Sequence, residues 1–176
     1  MMTTMAFKDT AVRRRPEEEV SDLFRAEYRS LVRLATLLLG DVGAAEEVVQ
    51  DAFVKLQVGW ARLRDPDKAP AWLRSAVLNG ARSRLRRASV RKRHLEPVPS
   101  PTATVETDAV AHDERRRMLA ALRTLPDRQR EALVLKFYME LSEAETAAAM
   151  GVTAGSVKTH VHRGLASLEA ALQEES

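Results

Sequence analysis

The chain has 176 residues, 45% of them apolar and 30% charged, with a formal net charge of only +3. That is enough apolar material for one ordinary domain or two small ones. The absence of cysteine excludes a disulfide framework, a thiolate metal site and a thiol nucleophile, and His94, His112, His160 and His162 do not form a ligand set, so no metal or cofactor is expected.

No apolar run approaches the length of a membrane span, and the first twenty residues, MMTTMAFKDTAVRRRPEEEV, lack the apolar core of a secretion signal. A cytoplasmic protein without membrane insertion is expected, with residues 1–20 as a flexible leader. Phe24, Tyr28, Leu31, Val32, Leu34, Ala35 and Leu38 then recur at threes and fours up to Gly40, which suits a helix ending in a glycine cap. Asp41 can cap the next helix. There Ala45, Val48, Val49, Ala52, Phe53 and Leu56 form the apolar stripe, and Glu46, Glu47, Gln50 and Asp51 form an acidic outer face.

The segment RLRDPDKAP, Arg62 to Pro70, carries two prolines and two aspartates and reads as a loop. AWLRSAVLNGARSRLRR, Ala71 to Arg87, reads as a basic amphipathic helix. Trp72, Leu73, Ala76, Val77 and Leu85 can face inward, Arg74, Asn79, Arg82 and Arg86 stay accessible, and Gly80 weakens the helix. Both Trp60 and Trp72 can serve as stacking platforms or as core.

Charge is distributed unevenly. From Lys68 to Leu95 there is no acidic residue among Lys68, Arg74, Arg82, Arg84, Arg86, Arg87, Arg91, Lys92 and Arg93, which is the footprint of a polyanion partner. The sign then reverses. EPVPSPTATVETDAVA, Glu96 to Ala111, has three prolines at alternate positions and reads as an extended acidic linker. A second helical unit starts near His112, with Met118, Leu119, Leu122 and Leu125 before a turn at Pro126 and Leu133, Val134, Phe137 and Tyr138 beyond it.

SEAETAAAMGVTAGSVKTHVHRGL, Ser142 to Leu165, has the form of a helix-turn-helix. Gly151 is the turn residue, Ala147 keeps the two helices close, and Met150, Val152, Val157 and Val161 point into a small core. Thr153 can cap the second helix. Its outward residues Ser156, Lys158, Thr159, His162 and Arg163 carry the donors that base edges and phosphates in a major groove accept. An all-α fold is therefore expected, with two small helical domains joined by an extended linker and the helix-turn-helix in the second.

Three stretches in order, DVGAAEEVVQDAFVKL, PAWLRSAVLNGARSRLRR and LRTLPDRQREALVLKFYMELSEAETAAAMGVTAGSVKTHVHRGLASL, resemble the extracytoplasmic-function (ECF) group of bacterial RNA polymerase sigma factors of the sigma-70 family, actinobacterial type. The resemblance spans roughly Leu23 to Leu172. It implies an alternative sigma factor with no catalysis of its own: region 2 over residues 21–95, a linker over 96–111 and region 4 over 112–176. It also implies that Glu47, Gln50 and Asp51 dock on the clamp of core RNA polymerase and that the loop Arg62 to Pro70 captures a flipped base of the minus-ten element. Lys68, Arg74, Asn79, Arg82 and Arg86 would follow the melted minus-ten strand of promoter DNA, and Ser156, Lys158, Thr159, His162 and Arg163 would read the duplex minus-thirty-five element. An anti-sigma factor is implied as a further partner. Thr146 and His160 depart from the pattern, standing where an apolar residue and an arginine are usual.

Two other functions fit less well. A conventional helix-turn-helix regulator would need a dimerisation or ligand-binding unit, and residues 20–95 show neither an α/β pattern nor a coiled-coil seam. A nucleic-acid enzyme would need an acid/base or metal cluster that Asp65, Asp67 and the scattered histidines do not supply.

Overall fold

The computed structural model describes residues 15–94 and 109–174, so most of the expected leader and linker lies outside the described residues. Among the described residues the chain is helical, with no strand. Helix α1 (Pro16–Leu39) starts on a proline whose fixed φ suits the first helical position, followed by Glu17, Glu18 and Glu19 at the positive end of the helix dipole. It begins within the expected leader, and its Val20 is already buried, because the acidic first turn and the apolar stripe behind it favour helix from Pro16 onward.

Gly40 ends α1 in the left-handed region, φ 74°, where its N–H donates to the Thr36 carbonyl at 2.7 Å. Helix α2 (Val42–Gly59) follows at once. Its cap is Asp41, whose Oδ1 accepts from the Ala44 N–H at 2.6 Å. All six residues of the expected apolar stripe are buried, and Glu46, Glu47, Gln50 and Asp51 are exposed. Phe24 and Tyr28 of α1 stack at 4.4 Å between centroids, and Phe24 meets Phe53 of α2 edge-on at 5.0 Å, joining the two helices at one end.

A short 3₁₀ turn, Trp60–Arg62, leads into the expected loop, which contains a second, Pro66–Lys68, capped by the Asp65 side chain. Helix α3 (Ala69–His94) begins before Ala71 and outruns Arg87. Its buried stripe is Leu73, Val77, Leu78 and Ala81. That stripe rotates Trp72 to the flank, 37% exposed, so Trp72 is not the inward residue its spacing suggested; Trp60 is half-buried. Gly80 has a packing reason: a Cβ there would stand 2.7 Å from Val48 Cγ1 of α2.

Helix α4 (Ala109–Thr124) takes in the last residues of the expected linker. At the turn into α5 (Asp127–Leu133), buried Arg130 donates to Asp127 Oδ1 at 2.6 Å and to the carbonyls of Arg123 and Leu125 at 3.4 Å. A five-residue π-helical turn, Val134–Tyr138, then bonds the Met139 N–H to the Val134 carbonyl at 3.1 Å. The wider turn shifts the register. Val134 and Leu135 go inward, while Phe137, 58% exposed, and Tyr138 face solvent.

Helices α6 (Glu143–Met150) and α7 (Ala154–Glu174) complete the described residues. The two halves share their interior. One apolar cluster runs from Leu31, Leu34, Val77 and Leu78 of the first three helices to Leu135, Leu141, Met150 and Val157 of the second unit. No helix of the described residues is long and apolar enough to cross a membrane.

Candidate nucleic-acid and polymerase interfaces

The helix-turn-helix is fixed by its caps. Ser142 Oγ accepts from the Glu145 N–H at 3.2 Å while Glu145 Oε2 accepts from the Ser142 N–H at 2.9 Å, a reciprocal box that starts α6 at a defined residue. Gly151 ends α6 at φ 67°, a backbone state that would strain any side chain, with its N–H on the carbonyls of Ala147 and Ala148. Thr153 Oγ1 then accepts from the Ser156 N–H at 3.2 Å and starts α7. Thr146 is fully buried despite its hydroxyl, which donates to the Ser142 carbonyl at 2.8 Å and so loses nothing by leaving water.

The outward face of α7 is open. Lys158, Thr159, His162 and Arg163 are exposed and Ser156 is half-buried beside the cap; His160 is half-buried. Lys158 Nζ lies 3.6 Å from Glu143 Oε1, a solvated pair that a stronger anion can displace. Sequence reasoning missed what sets the helix in place. Gly164 of α7 lets α5 approach so closely that a Cβ there would sit 3.1 Å from Leu133 Cγ and 3.3 Å from the Gln129 carbonyl oxygen.

The basic residues of the first unit divide into two sets. Lys68 is exposed and loosely paired with Asp65 at 3.6 Å, and Arg86 is exposed. Arg74 is half-buried. Arg82 is turned onto the second unit: Nε donates to Glu131 Oε1 and Nη2 to Glu131 Oε2, both at 2.7 Å, and Nη2 also reaches the Met150 carbonyl at 3.2 Å. Its Nη1 donates to Asn79 Oδ1 at 3.1 Å. Glu131, from α5, was not legible as a site residue. Its side chain is 4% exposed, and it also accepts from Arg128 Nη1 at 3.1 Å.

Arg74 bears on the second unit too. The Glu145 carboxyl is held below its ordinary value, first by the Ser142 hydroxyl, then by the Ser142 N–H and, more weakly, by the charge of Arg74. On α2, Gln50 and Asp51 project freely on one face, and Glu47 beside them pairs with Arg84 of α3. The structure thus turns Arg82 onto the second unit, keeps Arg74 half-buried, and leaves Asn79, the α2 face, Lys68, Arg86 and the α7 face exposed.

Comparison with known proteins identifies the family. The family described as Sigma-70 region 2 matches residues 23–91, and Sigma-70, region 4 matches residues 115–168. An RNA polymerase sigma-E factor of Streptomyces avermitilis is 34% identical over 158 residues, covering 88% of this chain and 86% of that protein. The ECF RNA polymerase sigma factor SigM of Mycobacterium tuberculosis is 35% identical over 150 residues, covering 83% of this chain and 73% of its own length. Among solved structures, the sigma factor RpoE of Bartonella quintana, in complex with the anti-sigma factor NepR, superposes with a TM-score of 0.71 over 89% of this chain and 98% of that one, at 22% identity, a likeness of fold. With both regions present in order and relatives of this identity along most of its length, the chain belongs to the ECF group of sigma-70 RNA polymerase sigma factors, the alternative sigma factors that direct promoter recognition and transcription initiation.

Proposed function

We propose that the chain is a reversible, non-catalytic polymerase subunit in which each helical surface has one task. Residues 21–95 form the clamp-docking and minus-ten module, 112–176 form the minus-thirty-five module, and 96–111 join them. Glu47, Gln50 and Asp51 meet core polymerase. Carboxylates and an amide on one rigid, solvated face suit a basic partner surface and set its orientation.

Lys68, Arg74, Asn79, Arg82 and Arg86 follow the melted minus-ten strand, where guanidinium groups track phosphates and planar side chains stack on bases. Trp72, exposed at the start of α3, is available for such stacking. Ser156, Lys158, Thr159, His162 and Arg163 enter the major groove of the minus-thirty-five duplex. Each surface alone binds weakly; polymerase holds both at the promoter spacing and makes the pair effective.

One observation carries this reading. Gly151 ends the first helix of the helix-turn-helix and Thr153 caps the second, so that Lys158, Thr159, His162 and Arg163 share one exposed face. The work is cytoplasmic, and an anti-sigma protein is the natural regulator, since the structural neighbour from Bartonella is a complex with one. In vitro transcription with purified core polymerase on genomic fragments tests the reading: specific starts should appear only when this chain is added. Tight, sequence-specific duplex binding by the chain without core would favour a conventional regulator instead.

A further inference from the structure

We propose that the free protein holds itself closed, with α5 and α6 docked on the strand-reading face of α3 and the Arg82–Glu131 ion pair as the latch. The proposal rests on the assignment of α3 to the melted minus-ten strand and adds a regulatory state to it.

Every nitrogen of the Arg82 guanidinium is engaged, and four of its five N–H donors are in use. Nε and Nη2 grip both oxygens of Glu131, Nη2 also holds the Met150 carbonyl, and Nη1 holds Asn79. The two-pronged geometry that Arg82 presents to Glu131 is the one an arginine presents to a phosphate. Glu131 therefore occupies the position of a backbone phosphate, and closure and strand binding compete for one fork. Asn79 is engaged through the same guanidinium, and Arg74 lies within the field of Glu145. Of the five minus-ten residues, Arg82 is thus committed to the second unit.

The latch sits on an apolar joint. Leu135, Leu141 and Met150 belong to the same buried cluster as Val77 and Leu78 of α3, and Ser30 Oγ of α1 lies 3.6 Å from Met139 Sδ. Arg123 of α4 donates to the carbonyl of Gly40 at the end of α1. The apolar area supplies the adhesion and the buried pair fixes its register, since a charge left unpaired there is strongly unfavourable. The α2 face stays outside the joint, with Gln50 and Asp51 exposed. Core polymerase can therefore dock before the joint opens, and docking is the event that frees Arg82.

The chain has no cysteine, so a pair introduced by Ser30→Cys and Met139→Cys can be bridged uniquely, using a short bifunctional thiol reagent cleavable by reduction. Rapid intramolecular bridging in the free protein is expected, with transcription by core polymerase falling about tenfold or more in the bridged form and returning on reduction. Failure of the pair to bridge, or equal activity bridged and reduced, would overturn the closed state. Inactivity with core of both the parent chain and the reduced variant would instead overturn the promoter-reading assignment on which the proposal rests.

Glu131→Gln gives an independent reading, as it keeps the side-chain volume and removes the charge. The full-length free variant should bind a single-stranded minus-ten oligonucleotide about tenfold more tightly than the parent, because apparent affinity scales with the open fraction. An unchanged affinity in a variant with a native-like melting profile would overturn the latch.

Discussion

Val48 Cγ1 on α2 stands 2.7 Å from the point where a Cβ at Gly80 of α3 would be built. By propensity alone Gly80→Ala should stabilise a helix interior by up to about 1 kcal/mol. In this protein it should destabilise, because Val48 is branched at Cβ and stiff in a helix, and cannot swing away. In a Val48→Ala background the same substitution should turn stabilising. Urea unfolding of the four proteins of this cycle measures the reversal; the same sign in both backgrounds would rule out the contact as the reason for the glycine.

Glu145 gives a pH dependence of defined sign. Its folded pKa lies below the ordinary 4.5, so its contribution to stability is complete above the unfolded value and is lost as pH falls through the folded one. Glu145→Gln should therefore lower stability near neutrality, and the gap from the parent should narrow as pH drops below about 4.5. Thermal melts of both proteins between about pH 3 and 7 check it; a gap constant across that range would mean that the carboxylate charge adds nothing to the capping box.

Gln50 and Asp51 are exposed on α2 and make no contact within the core. Replacing both with lysine should leave the melting temperature within a few degrees of the parent. Affinity for core polymerase should fall by on the order of 1–3 kcal/mol through lost and reversed charge contacts. Competition against a labelled sigma factor reads the affinity, and an unchanged value would remove this face from the interface.

Arg163→Ala should weaken promoter binding by the holoenzyme and lower the salt slope by about one unit, as expected of a phosphate contact. Lys158→Ala and His162→Ala should instead change which minus-thirty-five sequences are preferred. None of the three should affect a template already melted across the minus-ten region. Equal losses on every sequence in all three variants would make α7 a phosphate anchor and place specificity elsewhere.

Features governed by neighbouring residues were legible in the sequence. Gly40, Asp41, Gly151 and Thr153 act over one to four positions, and each caps the helix end its chemistry suggests. The stripe of α2 is an equally local pattern. The misreadings came from long-range or unusual geometry. Arg82 and Glu131 are 49 residues apart, and nothing near either one names the other. Gly80 looked like a weak point because its reason lies on another helix. Trp72 was placed inside by a stripe that runs one position over.

The shared apolar cluster has a consequence for temperature. Separating the two units would bring Leu135, Leu141 and Met150 toward water, and the aversion of such surface to water weakens on cooling. The joint should therefore loosen in the cold and tighten on mild warming, well below the range where the helices melt. A chain built this way would be most accessible to single-stranded DNA when chilled, and a modest rise in temperature would draw it shut.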